Sequence, residues 1–225
     1  MTAPAPVELA VPAGERQLPA LFLRPADARF LLVLGHGAGA GMRHSFLQAL
    51  CDALAAEGLA TLRYEFAYQA EGRGRPDPPA RLEHTVRCAV RRAAELAPDL
   101  PLLAGGKSMG GRMTSQAAAR EPLPGVHGIV FFGFPLHRPK APADQRAAHL
   151  FGVDLPMLFL SGTRDPLCDL GLLRPVLERL GPRATLHVIE GADHSFGVLR
   201  RSGRGPGDVL VELAQTVSTW SATVR

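Results

Sequence analysis

The chain has 225 residues, enough for one α/β domain that buries roughly 70% of its extended surface and needs no disulfide or metal staples. Hydrophobic residues at 46% and charged residues at 20% exclude a disordered chain. The net charge of +4 comes from scattered arginines, not from the basic stripe with stacking aromatics that a nucleic-acid binder shows, so no nucleic-acid partner is expected.

Elements follow in an alternating order. Residues 7–24 read as one or two edge strands with a turn at Ala13-Gly14. Residues 30–34 (Phe-Leu-Leu-Val-Leu) form a continuous apolar run that stops at glycine, the pattern of a strand buried on both faces. A helical stripe of Phe46, Leu47, Leu50 and Leu54 follows within 45–57 and closes at Gly58. Then come a strand at 60–66, a Gly/Pro/Arg-rich loop at 67–80, a helix at 81–96 ended by Pro98, and a strand at 100–104 entering Gly105-Gly106. A helix at 109–120 and a strand at 128–134 precede a polar, Pro-rich excursion at 135–154 with room for one short helix. A strand at 156–161, a helix at 170–180, a strand at 184–190 and a terminal helix at 208–217 complete the chain. This alternation predicts a three-layer αβα sandwich with a mostly parallel central sheet, one domain over 1–225.

Gly106-Lys107-Ser108-Met109-Gly110 matches G-x-S-x-G between a strand and a helix. Glycines flank such a serine because the strand-to-helix turn is sharp, and the turn lifts the hydroxyl clear of the sheet. A Walker-type phosphate loop fits less well, because Pro101 stands where its first glycine is required. A serine hydroxyl needs a base, and His194 follows the last strand in Glu-Gly-Ala-Asp-His-Ser-Phe. A histidine taken at random is more often a packing residue; the other seven lie on helices, strands or polar loops, and His36 belongs to a glycine-rich segment. The orienting acid is Asp165, just past the preceding strand in Ser-Gly-Thr-Arg-Asp, with Asp169 read as a helix cap and Asp193 as pointing elsewhere. The order Ser108, Asp165, His194 is the chain order of α/β-hydrolase triads. An oxyanion needs two preorganised donors. The Met109 amide supplies one, and the loop Gly35-His36-Gly37-Ala38-Gly39-Ala40-Gly41 the other, through Ala38 or, as the near alternative, Gly39. That loop reads poorly as a dinucleotide site, lacking both the G-x-G-x-x-G spacing and an acidic residue closing the next strand in the usual way; His36 is expected to fasten it.

With these residues the chain resembles the small, lid-poor α/β-hydrolases of the KANL3/Tex30-like group, in the wider dienelactone-hydrolase-like superfamily. The carriers are G-H-G-A-G-A-G at 35–41, G-R-P-D at 74–77, G-G-K-S-M-G-G-R at 105–112, P-L-H-R-P at 135–139 and G-A-D-H-S-F at 191–196. The resemblance implies the α/β-hydrolase fold and an active site at Ser108, Asp165 and His194. Dienelactone hydrolases proper use a cysteine nucleophile where this chain has Ser108, and some eukaryotic relatives are subunits of chromatin complexes.

The expected activity is hydrolysis of an acyl bond, a carboxylic ester first, of a small-molecule substrate without metal or cofactor. A non-catalytic interaction module and an acyltransferase or thioesterase are the alternatives. The 136–155 segment is too short for a cap domain, so an open site with no substantial lid is expected. Lys107, Arg112 and the Arg73/Arg75 loop would give its mouth a positive potential. Cys51, Cys88 and Cys168 lack C-x-x-C spacing, the N-terminus has no signal-peptide pattern, and no apolar run approaches the roughly 20 residues of a membrane span. A cytoplasmic monomer or homodimer without membrane contact is therefore expected.

Overall fold

The computed structural model describes residues 4–224. Strands β1 (Val7–Ala13) and β2 (Arg16–Leu23) form an antiparallel hairpin turned at Gly14, which takes φ +64°. The central strands are β3 (Phe30–Gly35), β4 (Leu59–Tyr64), β5 (Leu102–Lys107), β6 (Val126–Phe132), β7 (Met157–Gly162) and β8 (Ala184–Ile189). The sheet order is β1-β2-β4-β3-β5-β6-β7-β8; β2 joins β4 antiparallel and every later pairing is parallel. Strands β3, β4 and β7 are buried at every position, as strands covered by helices on both faces are, even where β4 carries Thr61 and Arg63.

Two helices, α1 (Ser45–Ala56) and α6 (Pro206–Ser221), cover one face; Leu47, Leu50, Leu54, Leu213 and Val217 pack there against Leu32, Leu34, Leu103 and Phe132. The opposite face carries α3 (Pro79–Leu96) and α4 (Met109–Arg120) over Leu31, Val33, Leu62 and Ala104. Beside them, a 3₁₀ helix at Gln145–Gly152 and α5 (Leu170–Leu180) lie over Ile129, Phe131, Met157 and Phe159. This is the α/β-hydrolase fold. The 135–154 excursion holds that single short helix and no lid.

Some boundaries differ from the sequence reading, each for a local reason. The 67–80 segment is not all loop: Ala67–Ala70 forms a short helix, α2, and α3 starts at Pro79, whose missing N–H suits the first helical turn. Strand β5 does not stop at Ala104 but runs through Gly105 and Gly106 to Lys107, because both glycines lie pressed against neighbouring backbone. Helix α6 spans 206–221, longer at both ends than expected.

Candidate active site

Ser108 sits between β5 and α4 at φ 51°, ψ −112°, a region that non-glycine residues avoid. The surrounding glycines make the turn possible. A Cβ on Gly106 would lie 2.4 Å from the Gly35 carbonyl oxygen, and one on Gly110 2.2 Å from the same atom, so β3, β5 and α4 meet backbone to backbone.

The three predicted catalytic side chains converge. His194 Nε2 lies 2.9 Å from Ser108 Oγ, and His194 Nδ1 lies 2.8 Å from Asp165 Oδ2. An ionised carboxylate only accepts, so Nδ1–H donates to Asp165 and Nε2 is left to accept the Ser108 hydroxyl proton. Asp165 is buried past the end of β7, its other oxygen accepting the Leu167 N–H at 2.8 Å. Asp169 is the N-cap of α5, accepting the Gly171 N–H at 2.7 Å. The Asp193 carboxylate accepts from the N–H groups of Ser195 (2.9 Å) and Gly197 (3.0 Å), bracing the turn that carries His194.

A cavity of about 320 Å³ opens on Ser108, walled by the glycine-rich loop (Gly37, Ala38, Ala40), by His44, Phe46 and Leu47 of the α1 start, and by Leu167 and His194. Ala38 and Ser108 both face it, and the Met109 amide, at the first position of α4, has no intrahelical acceptor. Gly39 does not line the cavity; it takes φ +73° and its backbone lies beside Tyr68.

The loop itself is pinned from beneath. Phe66 N–H donates to His36 Nε2 (3.1 Å), leaving His36 Nδ1–H to donate to the Gly37 carbonyl (2.8 Å). Burial pushes the His36 imidazole down to about 4, so it stays neutral. An acidic residue does close the next strand, contrary to the sequence reading: Glu65 follows β4 directly. Its carboxylate is taken by the loop, accepting the Met42 N–H at 2.9 Å, and so is not offered to a ribose. Arg63 adds a bond to the Met42 carbonyl at 3.2 Å.

Two supports were invisible in the sequence because they join distant segments. Lys107 Nζ donates to the His194 carbonyl at 2.6 Å and lies 5.5 Å from the Phe196 ring centroid; burial lowers its ammonium to about 8, against the opposing pull of Asp165 and Asp193. Asp169 N–H donates to His137 Nε2 (3.0 Å), so a histidine read as part of a polar loop is buried under the acid turn. Of the Arg73/Arg75 loop, Arg73 supplies little of the positive potential expected of it. Arg73 is bound to Glu71 (2.8 Å) and Asp77 (2.7 Å), which also hold Arg81.

Residues 28–222 match the α/β hydrolase domain family. The chain belongs to that family. Among solved structures, a dienelactone hydrolase from Anabaena variabilis is 25% identical with a TM-score of 0.78, over 98% of this chain and 99% of that one. An α/β serine hydrolase without lid from Xanthomonas campestris is 20% identical at TM-score 0.71, over 98% of this chain and 96% of that one. Est1E from Butyrivibrio proteoclasticus is 15% identical at TM-score 0.72, over 96% and 98%. The last two speak for the fold.

Proposed function

We propose that this α/β-hydrolase family member is a serine hydrolase that cleaves an acyl bond of a small substrate, a carboxylic ester first. The observation that carries the reading is the unbroken relay Ser108 Oγ–His194 Nε2 (2.9 Å) and His194 Nδ1–Asp165 Oδ2 (2.8 Å) at the floor of an open cavity. The names of structural neighbours, a dienelactone hydrolase, a serine hydrolase and an esterase-like protein, agree with it. Within the family, the motifs at 35–41, 105–112 and 191–196 are what supports a kinship with the KANL3/Tex30-like group.

In this mechanism Ser108 Oγ bonds to the substrate carbonyl carbon while His194 takes its proton. The carbonyl oxygen becomes an oxyanion held by the N–H groups of Met109 and Ala38, with Ala38 preferred to Gly39 because only Ala38 faces the cavity. The carbon–oxygen bond to the alcohol breaks, and His194 returns the proton to that oxygen. Water, deprotonated by His194, then attacks the acyl-enzyme and releases the acid and free Ser108. Asp165 holds the imidazole in the competent tautomer and stabilises its cation.

The test is labelling with a fluorophosphonate probe beside turnover of a short-chain p-nitrophenyl ester. Wild-type protein should label and turn over; Ser108→Ala should not label and should lose about 10⁴-fold or more in kcat. Labelling of the variant at the wild-type rate would remove Ser108 as nucleophile, and an unlabelled wild type would favour an interaction module.

A further inference from the structure

Several arginines of this protein are matched by a carboxylate: Arg24 by Asp99, Arg73 and Arg81 by Asp77, Arg120 by Glu83. Arg112, close to Ser108, is not, and neither are Arg146 and Arg138 beyond it. Arg112 lies one turn along α4, its N–H bonded to the Ser108 carbonyl at 3.2 Å. It is half-buried and adjoins Arg146 of the 3₁₀ helix, which in turn adjoins Arg138. Among the described residues no carboxylate pairs with any of the three, and no acceptor reaches the Arg112 guanidinium. Arg146 gives Nη1 to the carbonyls of Pro135 (3.4 Å) and His137 (3.1 Å) and leaves the rest of its fork unbonded.

The fold holds this repulsive pair together. Ser115 Oγ and His149 Nε2, 2.8 Å apart, tie α4 to the 3₁₀ helix and so fix Arg112 against Arg146. Burial, with Arg112 beside it, drives His149 down to about 4, so the clamp remains neutral and offers no countercharge. Burial first, then the neighbouring arginine, lowers the pKa of Arg112 and of Arg146. Two partly desolvated guanidiniums without a countercharge are an unfavourable arrangement that a bound oxyanion would reverse, since planar forks bind carboxylate or phosphate bidentately. Neither arginine lines the cavity itself, but the group is tied to its wall: His137, whose carbonyl Arg146 holds, gives its N–H to the carbonyl of Leu167, which does line it.

We propose that Arg112 and Arg146 form a recognition site for a carboxylate or phosphate carried by the acyl substrate. The assignment to substrate rests on Ser108 acting as nucleophile; the binding of the anion does not.

Calorimetry with succinate and with inorganic phosphate reads the site directly. Wild type, Ser108→Ala and the remote control Arg201→Gln should bind at least one of the two, and Arg112→Gln and Arg146→Gln should weaken it by about tenfold or more. Tighter phosphate binding would assign a phosphorylated substrate, and tighter succinate binding a dicarboxylate half-ester. In turnover, the ratio of kcat/KM for p-nitrophenyl hemisuccinate over p-nitrophenyl butyrate should be about ten in wild type and near one in Arg112→Gln. The Tm of Arg112→Gln should equal or exceed that of wild type, because repulsion is relieved; a merely structural arginine would lower it. Absence of binding of either anion by wild type, undiminished binding by both arginine variants, or no advantage of the anionic ester would overturn the proposal. Failure of Ser108 as nucleophile would appear instead as labelling of Ser108→Ala at the wild-type rate, or as an unlabelled wild type, with the calorimetric signal intact.

Discussion

Ser108 and Phe196 both hold positive φ without being glycine, at 51° and 63°, and Lys107, next to Ser108 in the chain, reaches the His194 carbonyl and the Phe196 ring. Such conformations cost on the order of 1–3 kcal/mol each and persist only where neighbours over-determine them. Asp193 and Lys107 are those neighbours: one binds the amides of the His194 turn, the other its carbonyl. Lys107→Met keeps the length of the side chain and removes the donor. We expect it to fold, to label at Ser108, and to lose about tenfold in kcat because His194 is held less tightly; wild-type kcat in this variant would show the bond to be incidental. Asp165, His194 and Ser108 were each legible from position relative to a strand end, whereas Lys107 was not, because its partner lies 87 residues away.

The elements are dictated by simple patterns, but their closest approach is not. Gly35, Gly106 and Gly110 belong to three different elements, and their backbones touch with no room for a side chain. Gly110→Ala adds a good helix former to α4 yet places its Cβ 2.2 Å from the Gly35 carbonyl oxygen. The clash should win. A destabilisation of about 3 kcal/mol, or about 6–12 °C in Tm for a chain of this size, is expected in thermal denaturation, with ester turnover falling because the Ser108 turn moves. The sequence marks such glycines as turn residues; that β5 continues through Gly105 and Gly106 to Lys107 depends on β3 and β6 lying alongside.

Across the whole molecule, the neutral buried histidines make stability depend on pH. His36 and His149 are both lowered to about 4 by burial, against about 6.5 in an unfolded chain. Between those values the unfolded state binds more protons than the folded one, so stability rises with pH. Their contribution is complete above pH 6.5 and is lost as pH falls towards 4. The urea midpoint should drop across that window, and the double variant His36→Gln, His149→Gln should flatten the slope; an unchanged slope would assign the acid sensitivity to other groups.

The sequence by itself determined the alternation of strands and helices, the sharp turn at Ser108, and the segments that bring Asp165 and His194 to strand ends, because these depend on periodicity and glycine placement within a few residues. Only the tertiary structure decided which face of the glycine loop meets the cavity, that Glu65 joins His36 in bracing that loop, that Arg73 is neutralised, and that Arg112 meets Arg146 without an acid. Each of these joins segments far apart in the chain, and burial and charge pairing exist only once the sheet has brought those segments together.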